Sequence, residues 1–321
     1  MLAGLDFPSI HVSRFTLSLV SWLFIGFSSI QGADGNGYAS AAGSSHRPWV
    51  WEIDGPHARI WLAGCLHLGA SRDRSAFPAY LPYYRAAAVV YFETQPGTWN
   101  SYEVKHLLDR RGFLPDRQSL SNRISKDTWQ QMQTALASNP GKLQRLSTME
   151  PWLAAFNLTQ DAYARAGLSA EDSLQGFIEH LAARDSKPIG ALESPKDQIL
   201  AMADASLSDQ EAFLQDTVRN LDRIGPQTQQ LRNAWLSGDQ TALQSVLGLN
   251  STPERSGMHQ NLIGVRNSRW LRKIREIEKG GKDSIVVVGV EHLISTPYAL
   301  PDLLTQAGLP AHRVTAHSRD N

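Results

Sequence analysis

Residues 60–68 read IWLAGCLHL and residues 285–293 read IVVVGVEHL. Each segment is a short apolar run, typical of a buried β-strand, followed by Gly-x-x-His-Leu. Ligands of open α/β sheets bind outside the carboxyl ends of the strands. A Gly at a strand end permits a close approach or an unusual backbone angle. If these two strands are neighbours, His67 and His292 come together at one edge of a sheet.

A third apolar strand supplies a carboxylate, because residues 88–92 (AVVYF) lead directly into Glu93. Two imidazoles and a carboxylate form a common ligand set for a divalent metal ion. Such an ion lowers the pKa of bound water and polarises a carbonyl group. The same set also suits general acid–base catalysis without a metal. A single histidine is more often structural, so the repetition after equivalent strands is what favours a shared site.

The remaining pattern indicates one α/β domain. Residues 49–53 and 58–63 are two apolar segments joined by Asp-Gly-Pro, which predicts a hairpin. From about 100 to 280 the apolar residues follow helical spacing. No Gly/Ser-rich linker interrupts residues 46–321, so these residues form a single domain with a large helical middle.

Capping signals mark the start of two of these helices. Ser194 precedes a Pro at the first helical position and Asp197 in the first turn, which predicts an N-cap. Ser208 with Glu211 three residues later fits a capping box. The sequence therefore predicts helices that begin just after residues 194 and 208.

The N-terminal segment has the pattern of a signal peptide. Residues 15–30 are apolar and uncharged, which is shorter than the roughly 20 residues of a spanning helix. We therefore predict a signal peptide at residues 1–33 and a flexible linker at 34–45, with cleavage after either Ala33 or Ala42. An uncleaved anchor and a buried helix are the alternatives. A signal peptide implies a periplasmic or secreted bacterial protein.

Composition excludes several classes of protein. Lys plus Arg equals Asp plus Glu at 31 each, so no broad basic surface for nucleic acid is expected. The mean hydropathy of −0.30 excludes a multi-span membrane protein. One cysteine, Cys65, excludes an intrachain disulfide and a four-thiolate metal site. The chain has no His-Glu-x-x-His, Gly-x-Ser-x-Gly, Walker or dinucleotide motif, which disfavours a serine hydrolase or a nucleotide enzyme.

Several motifs in a fixed order resemble the TraB/GumN family, which includes the Tiki proteases and is related to the erythromycin-esterase and ChaN-like proteins. The resemblance extends over about residues 49–315. The chain departs from the family pattern at Glu291, where a small residue is usual; we expect this added charge to be exposed. The segments that carry the resemblance are residues 51–69 (WEIDGPHARIWLAGCLHLG), 89–93 (VVYFE), 149–153 (MEPWL), 187–193 (KPIGALE) with Gln198, 235–239 (WLSGD), 265–267 (VRN) with Trp270 and Ile274, and 286–309 (VVVGVEHLISTPYALPDLLTQAGL).

The resemblance implies an EreA/ChaN-like α/β fold, with two related β-α halves that form a central sheet around a cleft. In Tiki-like members it implies a metal-dependent peptidase. In the esterase relatives a His acts as a base without a required metal. The fold expected from the resemblance agrees with the single α/β domain predicted from the residues.

These observations give a set of candidate site residues. We predict that His67, Glu93 and His292 line one cleft and bind manganese, cobalt or zinc, or activate water directly. Glu193 is either a second carboxylate of the site, as ligand or general base, or a charge at a helix N-terminus. Arg266 either holds a carboxylate or an oxyanion, or forms an ion pair with Glu93 or Glu193 that orients the site.

The function predicted from the sequence is an exported metal-dependent hydrolase of peptide or amide bonds, acting on a peptide or small-molecule substrate. One alternative is a metal- or haem-binding protein without catalysis. Another is an accessory protein of polysaccharide export in the bacterial envelope. No nucleic-acid partner is expected, and membrane contact is expected only through an uncleaved N-terminal segment. Trp99 is a candidate for the mouth of the cleft.

Overall fold

A six-stranded mixed sheet forms the centre of the protein. The computed structural model describes residues 47–249 and 257–314. The predicted signal peptide and linker lie outside the described residues. The strand order is β4-β3-β5-β2-β1-β6. The strands are β1 (Val50–Asp54), β2 (Arg59–Cys65), β3 (Val89–Thr94), β4 (Ile189–Glu193), β5 (Ser284–Gly289) and β6 (Ala311–Arg313).

The predicted hairpin is present as β1 and β2. The two strands are antiparallel, with Ile53 opposite Ile60, and the Asp-Gly-Pro turn joins them. β6 pairs with β1 in antiparallel orientation and closes that side of the sheet. The fold is therefore α/β, as the sequence predicted.

Four parallel strands occupy the other part of the sheet. β5 lies between β2 and β3, and β3 pairs with β4. All six residues of β5 are buried, which explains its uninterrupted apolar sequence. Because the four strands run in the same direction, their carboxyl ends lie at one edge of the sheet. Residues that follow β2 and β5, and those that end β3 and β4, are thereby brought to the same edge.

Helices cover the sheet and supply most of the middle of the chain. 3₁₀-helices occur at Ser71–Tyr80, Thr98–Asn100 and Leu120–Asn122. The α-helices in the described part of the chain are α1 (Leu81–Ala86), α2 (Tyr102–Gly112), α3 (Lys126–Ala135), α4 (Pro140–Leu146), α5 (Pro151–Arg165), α6 (Leu174–Arg184), α7 (Pro195–Ala203), α8 (Leu207–Arg219), α9 (Ile224–Ser237), α10 (Gln240–Val246), α11 (Gly257–His259), α12 (Arg266–Lys279), α13 (Glu291–Ile294) and α14 (Leu300–Gln306).

The structure confirms one of the two predicted caps and corrects the other. Ser194 caps α7, and its side chain and that of Asp197 form a reciprocal capping box. The predicted cap at Ser208 is wrong, because α8 begins two residues earlier and Ser206 accepts a hydrogen bond from the Asp209 N–H. Ser206-x-x-Asp209 offers the same chemistry as the predicted pair, and the sequence pattern alone does not choose between them.

A π-helix at Gln260–Val265 joins α11 to α12 without a break in the helical backbone. Such wide turns occur often at functional sites. Here the π-helix directly precedes Arg266, the first residue of α12. No helix within residues 47–249 and 257–314 is long and apolar enough to cross a membrane.

Candidate active site

His67 follows β2 and lies against the end of β3. Its side chain is 6% exposed, and its Nε2 lies 3.3 Å from Oε1 of Glu93. On the other side of the ring, Nδ1 is 2.8 Å from Oε1 of Gln175 in α6. The ring is thus held between a strand and a helix that are far apart in sequence.

Glu93, at the end of β3, is fully buried and directs its two oxygens to different partners. Oε1 accepts a hydrogen bond from the backbone N–H of Gly289, at 2.8 Å. Oε2 accepts from Arg266 Nη2 at 2.6 Å and from Gln198 Nε2 at 3.1 Å. One carboxylate therefore connects two strands, β3 and β5, and two helices, α7 and α12, through these contacts.

His292 lies in α13, just after β5, and faces the same carboxylate. Its Nε2 is 3.9 Å from Glu93 Oε1 and 3.2 Å from Arg266 Nη1. Its Nδ1 is 2.6 Å from Oδ1 of Asn267. The ring packs on Trp270, with 4.2 Å between ring centroids. The structure thus places the two histidines, from opposite parts of the chain, against one oxygen atom.

Arg266 joins the two glutamates of the site. Its Nε and Nη2 donate to Glu193 Oε1 at 2.9 and 2.6 Å, in addition to the bond to Glu93. Trp270 Nε1 donates to the second oxygen of Glu193, at 3.0 Å. Glu193 therefore turns toward Arg266, while the N-terminus of α7 is capped by the Ser194 side chain.

The two histidines have opposite electrostatic environments. For His67, burial lowers the pKa, but the nearby Cys65 and Glu93 outweigh burial and raise the pKa to about 10. For His292, burial and the positive charge of Arg266 hold the pKa well below its ordinary value. In the absence of a metal ion, His67 is therefore the protonated ring at neutral pH and His292 is the neutral one.

The pKa values of the two glutamates of the site are shifted in opposite directions. Burial opposes ionisation of Glu93, but Arg266 and His67 hold its pKa well below the usual range. Burial raises the pKa of Glu193, although Arg266 acts against this. Burial likewise opposes the charge on Arg266, and the two carboxylates raise its pKa. Glu93 is thus the firmly ionised carboxylate of the site.

A metal ion must satisfy this geometry. Ligand atoms about 2.1 Å from one ion are separated from each other by roughly 3–3.5 Å. The His67–Glu93 distance of 3.3 Å fits and the His292–Glu93 distance of 3.9 Å is wider. Among the described residues, no group of three His, Cys, Asp or Glu side chains is close enough to hold an ion as it stands. The residue types fit a divalent ion, but ion binding requires His292 to release Arg266.

Two expectations about neighbouring residues are revised by the structure. Glu291 is not exposed: its side chain is 12% exposed and lies 3.2 Å from Nε2 of the buried His259. The reason is that the first residue of α13 lies against α11, and this contact covers the Glu291 side chain. Trp99 is buried in a hydrophobic cluster that includes Val104 and Leu153, and its Nε1 donates to Thr94 Oγ1 at 3.1 Å.

Three amide side chains of the site were not assigned a role from sequence: Asn267, Gln175 and Gln198. Asn267 and Gln198 have local signals, since one follows Arg266 directly and the other lies one turn into the capped helix α7. Gln175 has no such signal, because it reaches His67 across 108 positions of sequence. Amides carry no charge and no metal-ligand pattern, so sequence reasoning passed over them.

A profile of the TraB/PrgY/gumN family matches residues 49–313. This match spans most of the chain and includes the complete site, so the protein belongs to the TraB/PrgY/gumN family. Searches among curated proteins and among solved structures gave no match.

Proposed function

We propose that this protein is a metal-dependent hydrolase of peptide or amide bonds. The observation that supports this most directly is the approach of both imidazole Nε2 atoms to one oxygen of Glu93, at 3.3 and 3.9 Å. Two imidazoles and one carboxylate around a common point are typical of catalytic metal sites that keep open positions. The location at the carboxyl ends of parallel strands is also where α/β proteins bind ligands.

His67, Glu93 and His292 would hold the ion, which we expect to be manganese, cobalt or zinc. A bound divalent ion supplies a nucleophile at neutral pH by lowering the pKa of water, and it polarises a carbonyl group. Glu93 offers Oε1 to this position while Oε2 stays bonded to Arg266. The protein thereby fixes the plane of the carboxylate before any ligand arrives.

Arg266 acts as a positioning residue in this proposal. Its Nη1 donates to the Leu262 carbonyl at 3.1 Å, and its Nε and Nη2 donate to the two glutamates. These partners surround the guanidinium group, so its contacts support the orienting role rather than direct binding of an oxyanion. Glu193 is held by the same group and serves as the second carboxylate that fixes Arg266.

A second candidate is hydrolysis without a metal, and the opposite pKa shifts of the two histidines favour it. A neutral His292 beside a protonated His67 is the arrangement of a general base and a general acid. Both candidates use the same residues. They differ in whether a chelator removes activity.

The test is cleavage of a peptide library by protein treated with a chelator and then supplied with manganese, cobalt or zinc. We expect cleavage only after metal is restored, and a loss of at least about 100-fold in His67→Ala and His292→Ala. His180→Ala, an exposed histidine of α6, is the matched control and should retain full activity. Equal cleavage with and without chelator supports the metal-free candidate. No cleavage by any preparation, with iron or haem bound, contradicts both and indicates a binding protein.

The finer fold relationship and the cellular location are part of the same proposal. The mixed sheet is compatible with an EreA/ChaN-like arrangement of two related halves around the site. Export to the periplasm or beyond, directed by residues 1–33, would place the hydrolase at the envelope. Capture of a polysaccharide-export component without hydrolysis would favour the accessory function instead. Fractionation of cells that express the full chain tests the location.

A further inference from the structure

Each of the two site histidines contacts a neutral amide side chain from a neighbouring helix. Asn267 in α12 contacts His292, and Gln175 in α6 contacts His67, in each case through an amide oxygen and the ring Nδ1. The distances are 2.6 and 2.8 Å. The two amides come from helices on different parts of the chain, yet they make the same contact.

The orientation of the Asn267 amide follows from its other partners. Its Nδ2 group donates to the backbone carbonyls of His292 and Tyr298, at 2.9 and 2.7 Å. A carbonyl oxygen only accepts hydrogen bonds, so the amide nitrogen must face these two atoms. Oδ1 therefore faces Nδ1 of His292. Because Oδ1 cannot donate, the proton of this hydrogen bond resides on Nδ1, and Nε2 of the neutral ring carries a lone pair.

The contacts of Gln175 lead to the same result at His67. Its Nε2 donates to Oε1 of Glu179 at 2.7 Å, which directs its own Oε1 to Nδ1 of His67. Nδ1 therefore carries a proton in this ring as well. Nε2 faces Glu93, and in the protonated ring of the metal-free protein it directs its own proton to that carboxylate.

We infer that Asn267 and Gln175 are positioning residues that keep a proton on Nδ1 of both histidines and thereby direct both Nε2 atoms to the carboxylate of Glu93. In the metal-free protein Nε2 of the neutral His292 is bare, whereas Nε2 of His67 carries a proton that a bound ion would displace. This inference rests on the proposed function for its consequence, since a metal ligand or a base must offer an unprotonated Nε2. The tautomer itself is independent of that function. A neutral amide performs this task without adding a charge to a site that already contains two carboxylates and an arginine.

The first test is a long-range ¹H–¹⁵N spectrum of the metal-free protein, which distinguishes protonated from unprotonated imidazole nitrogens. The His292 signal, assigned by its loss in His292→Ala, should show a protonated Nδ1 and an unprotonated Nε2. A protonated Nε2 with a bare Nδ1 would overturn the inference for Asn267. This measurement uses the wild-type chain, so it stays decisive even if a variant at the fully buried Asn267 does not fold.

The second test measures Zn²⁺ affinity by competition with a chelating dye. Gln175→Leu, which removes the acceptor at similar size, should weaken Zn²⁺ binding by about 10- to 100-fold. The double variant Gln175→Glu with Glu179→Gln exchanges the two side chains. Residue 175 still accepts a hydrogen bond from His67, and residue 179 now donates to residue 175, so most of the Zn²⁺ affinity should be restored. Unchanged affinity in Gln175→Leu, or no recovery in the exchange variant, would overturn the role of Gln175.

Asn267→Leu should weaken Zn²⁺ binding by the same factor and change the ¹⁵N pattern of His292. Its neighbour Ser268, which donates to the Gly264 carbonyl within the helix, provides the control Ser268→Ala, with wild-type affinity expected. If the wild-type chain binds no Zn²⁺ and cleaves no peptide, the proposed function fails, while the spectrum of His292 still decides the tautomer. The two failures are therefore distinguishable.

Discussion

Glu93 is the residue at which the other side chains of the candidate site meet. It is 1% exposed and receives hydrogen bonds from Gly289, Arg266 and Gln198. A buried charge requires this degree of compensation, because an unpaired one costs several kcal/mol. Arg266 supplies the compensating positive charge and shares it with Glu193.

Replacement of Arg266 by Met should therefore destabilise the protein strongly. The change leaves two buried carboxylates without their cation, and we expect a loss of about 3–5 kcal/mol in the free energy of unfolding. Denaturant unfolding measures this value. Arg269→Met on the same helix is the control. The Arg269 side chain is 52% exposed, and its ion pair with Asp197 is long, at 3.8 Å. A change within about 0.5 kcal/mol in the free energy of unfolding is therefore expected. Similar values for both variants would contradict the buried ion-pair network.

The sequence could predict the reactive residues but not the polar groups that hold them. His67, Glu93, His292, Glu193 and Arg266 were all candidates from motifs, and the structure brings all five together. Charged and imidazole side chains after strand ends are visible in a sequence. Their amide partners are not, because a hydrogen bond across 108 positions depends on how α6 packs rather than on any local pattern.

At the scale of elements, the end of β5 explains one of the two repeated glycines. A Cβ atom at Gly289 would lie 2.7 Å from His67 Nε2 and 3.5 Å from Glu93 Oε1. Its N–H also donates to Glu93. Gly289 is thus needed because a side chain at this position would collide with the His67 ring. A Cβ atom at the other glycine, Gly64, would instead lie 3.0–3.1 Å from the side chains of Val290, Leu293 and Trp49.

Gly289→Ala should displace the His67 ring from Glu93. We expect overpacking to cost about 1–3 kcal/mol of stability and hydrolysis and metal affinity to fall by at least about 10-fold. Unfolding curves and metal titration measure the two effects. Gly225→Ala in α9 is the matched control, since a Cβ there meets nothing within 4 Å and should not destabilise. A fully active Gly289→Ala would show that the close contact has no role.

The cap of α7 connects β4 to the site. Ser194 directly follows Glu193, and Ser194→Ala removes the acceptor for the Asp197 N–H. We expect a loss of about 1 kcal/mol in the free energy of unfolding. Ser208→Ala, at the wrongly predicted cap of α8, should have almost no effect. Equal losses in the two variants would contradict the caps as the structure has them.

Asp197 gives this cap a pH dependence. Burial alone would raise its pKa, but hydrogen bonds from Ser194 and the charge of Arg269 hold the pKa below the ordinary 3.8. A group with a lowered pKa in the folded state stabilises the fold above its ordinary pKa, and this contribution is lost as the pH falls through the lowered value. The stability difference between wild type and Asp197→Asn should therefore be constant near neutrality and shrink below about pH 4. A stability difference that stays constant down to the acid unfolding transition would contradict the hydrogen bonds between Ser194 and the ionised Asp197.

For the whole molecule, the fold was more predictable than the surroundings of the site. Strand patterns and the Gly-x-x-His repeat predicted the α/β class and the edge of the sheet at which the candidate site lies. The contact between Glu291 of α13 and His259 of α11 was not predicted, because a four-residue helix has too few residues to show a periodic pattern. The π-helix before Arg266 has no sequence signal of its own for the same reason.

Metal binding should stabilise the whole chain, because the three proposed ligands come from the segment after β2, from β3 and from α13. An ion that binds only the folded state adds about 2.7 kcal/mol at 100 times its Kd. Thermal unfolding with and without manganese should show a higher midpoint for wild type and His180→Ala. His292→Ala should show no shift. A shift of wild-type size in His292→Ala would place the ion elsewhere.

The most direct measurement is anomalous diffraction from crystals grown with manganese, recorded at and away from the metal absorption edge. The proposal predicts one peak about 2.0–2.3 Å from Nε2 of His67, Nε2 of His292 and Oε1 of Glu93. A peak bound by other residues, or none at saturating manganese, would contradict the metal site.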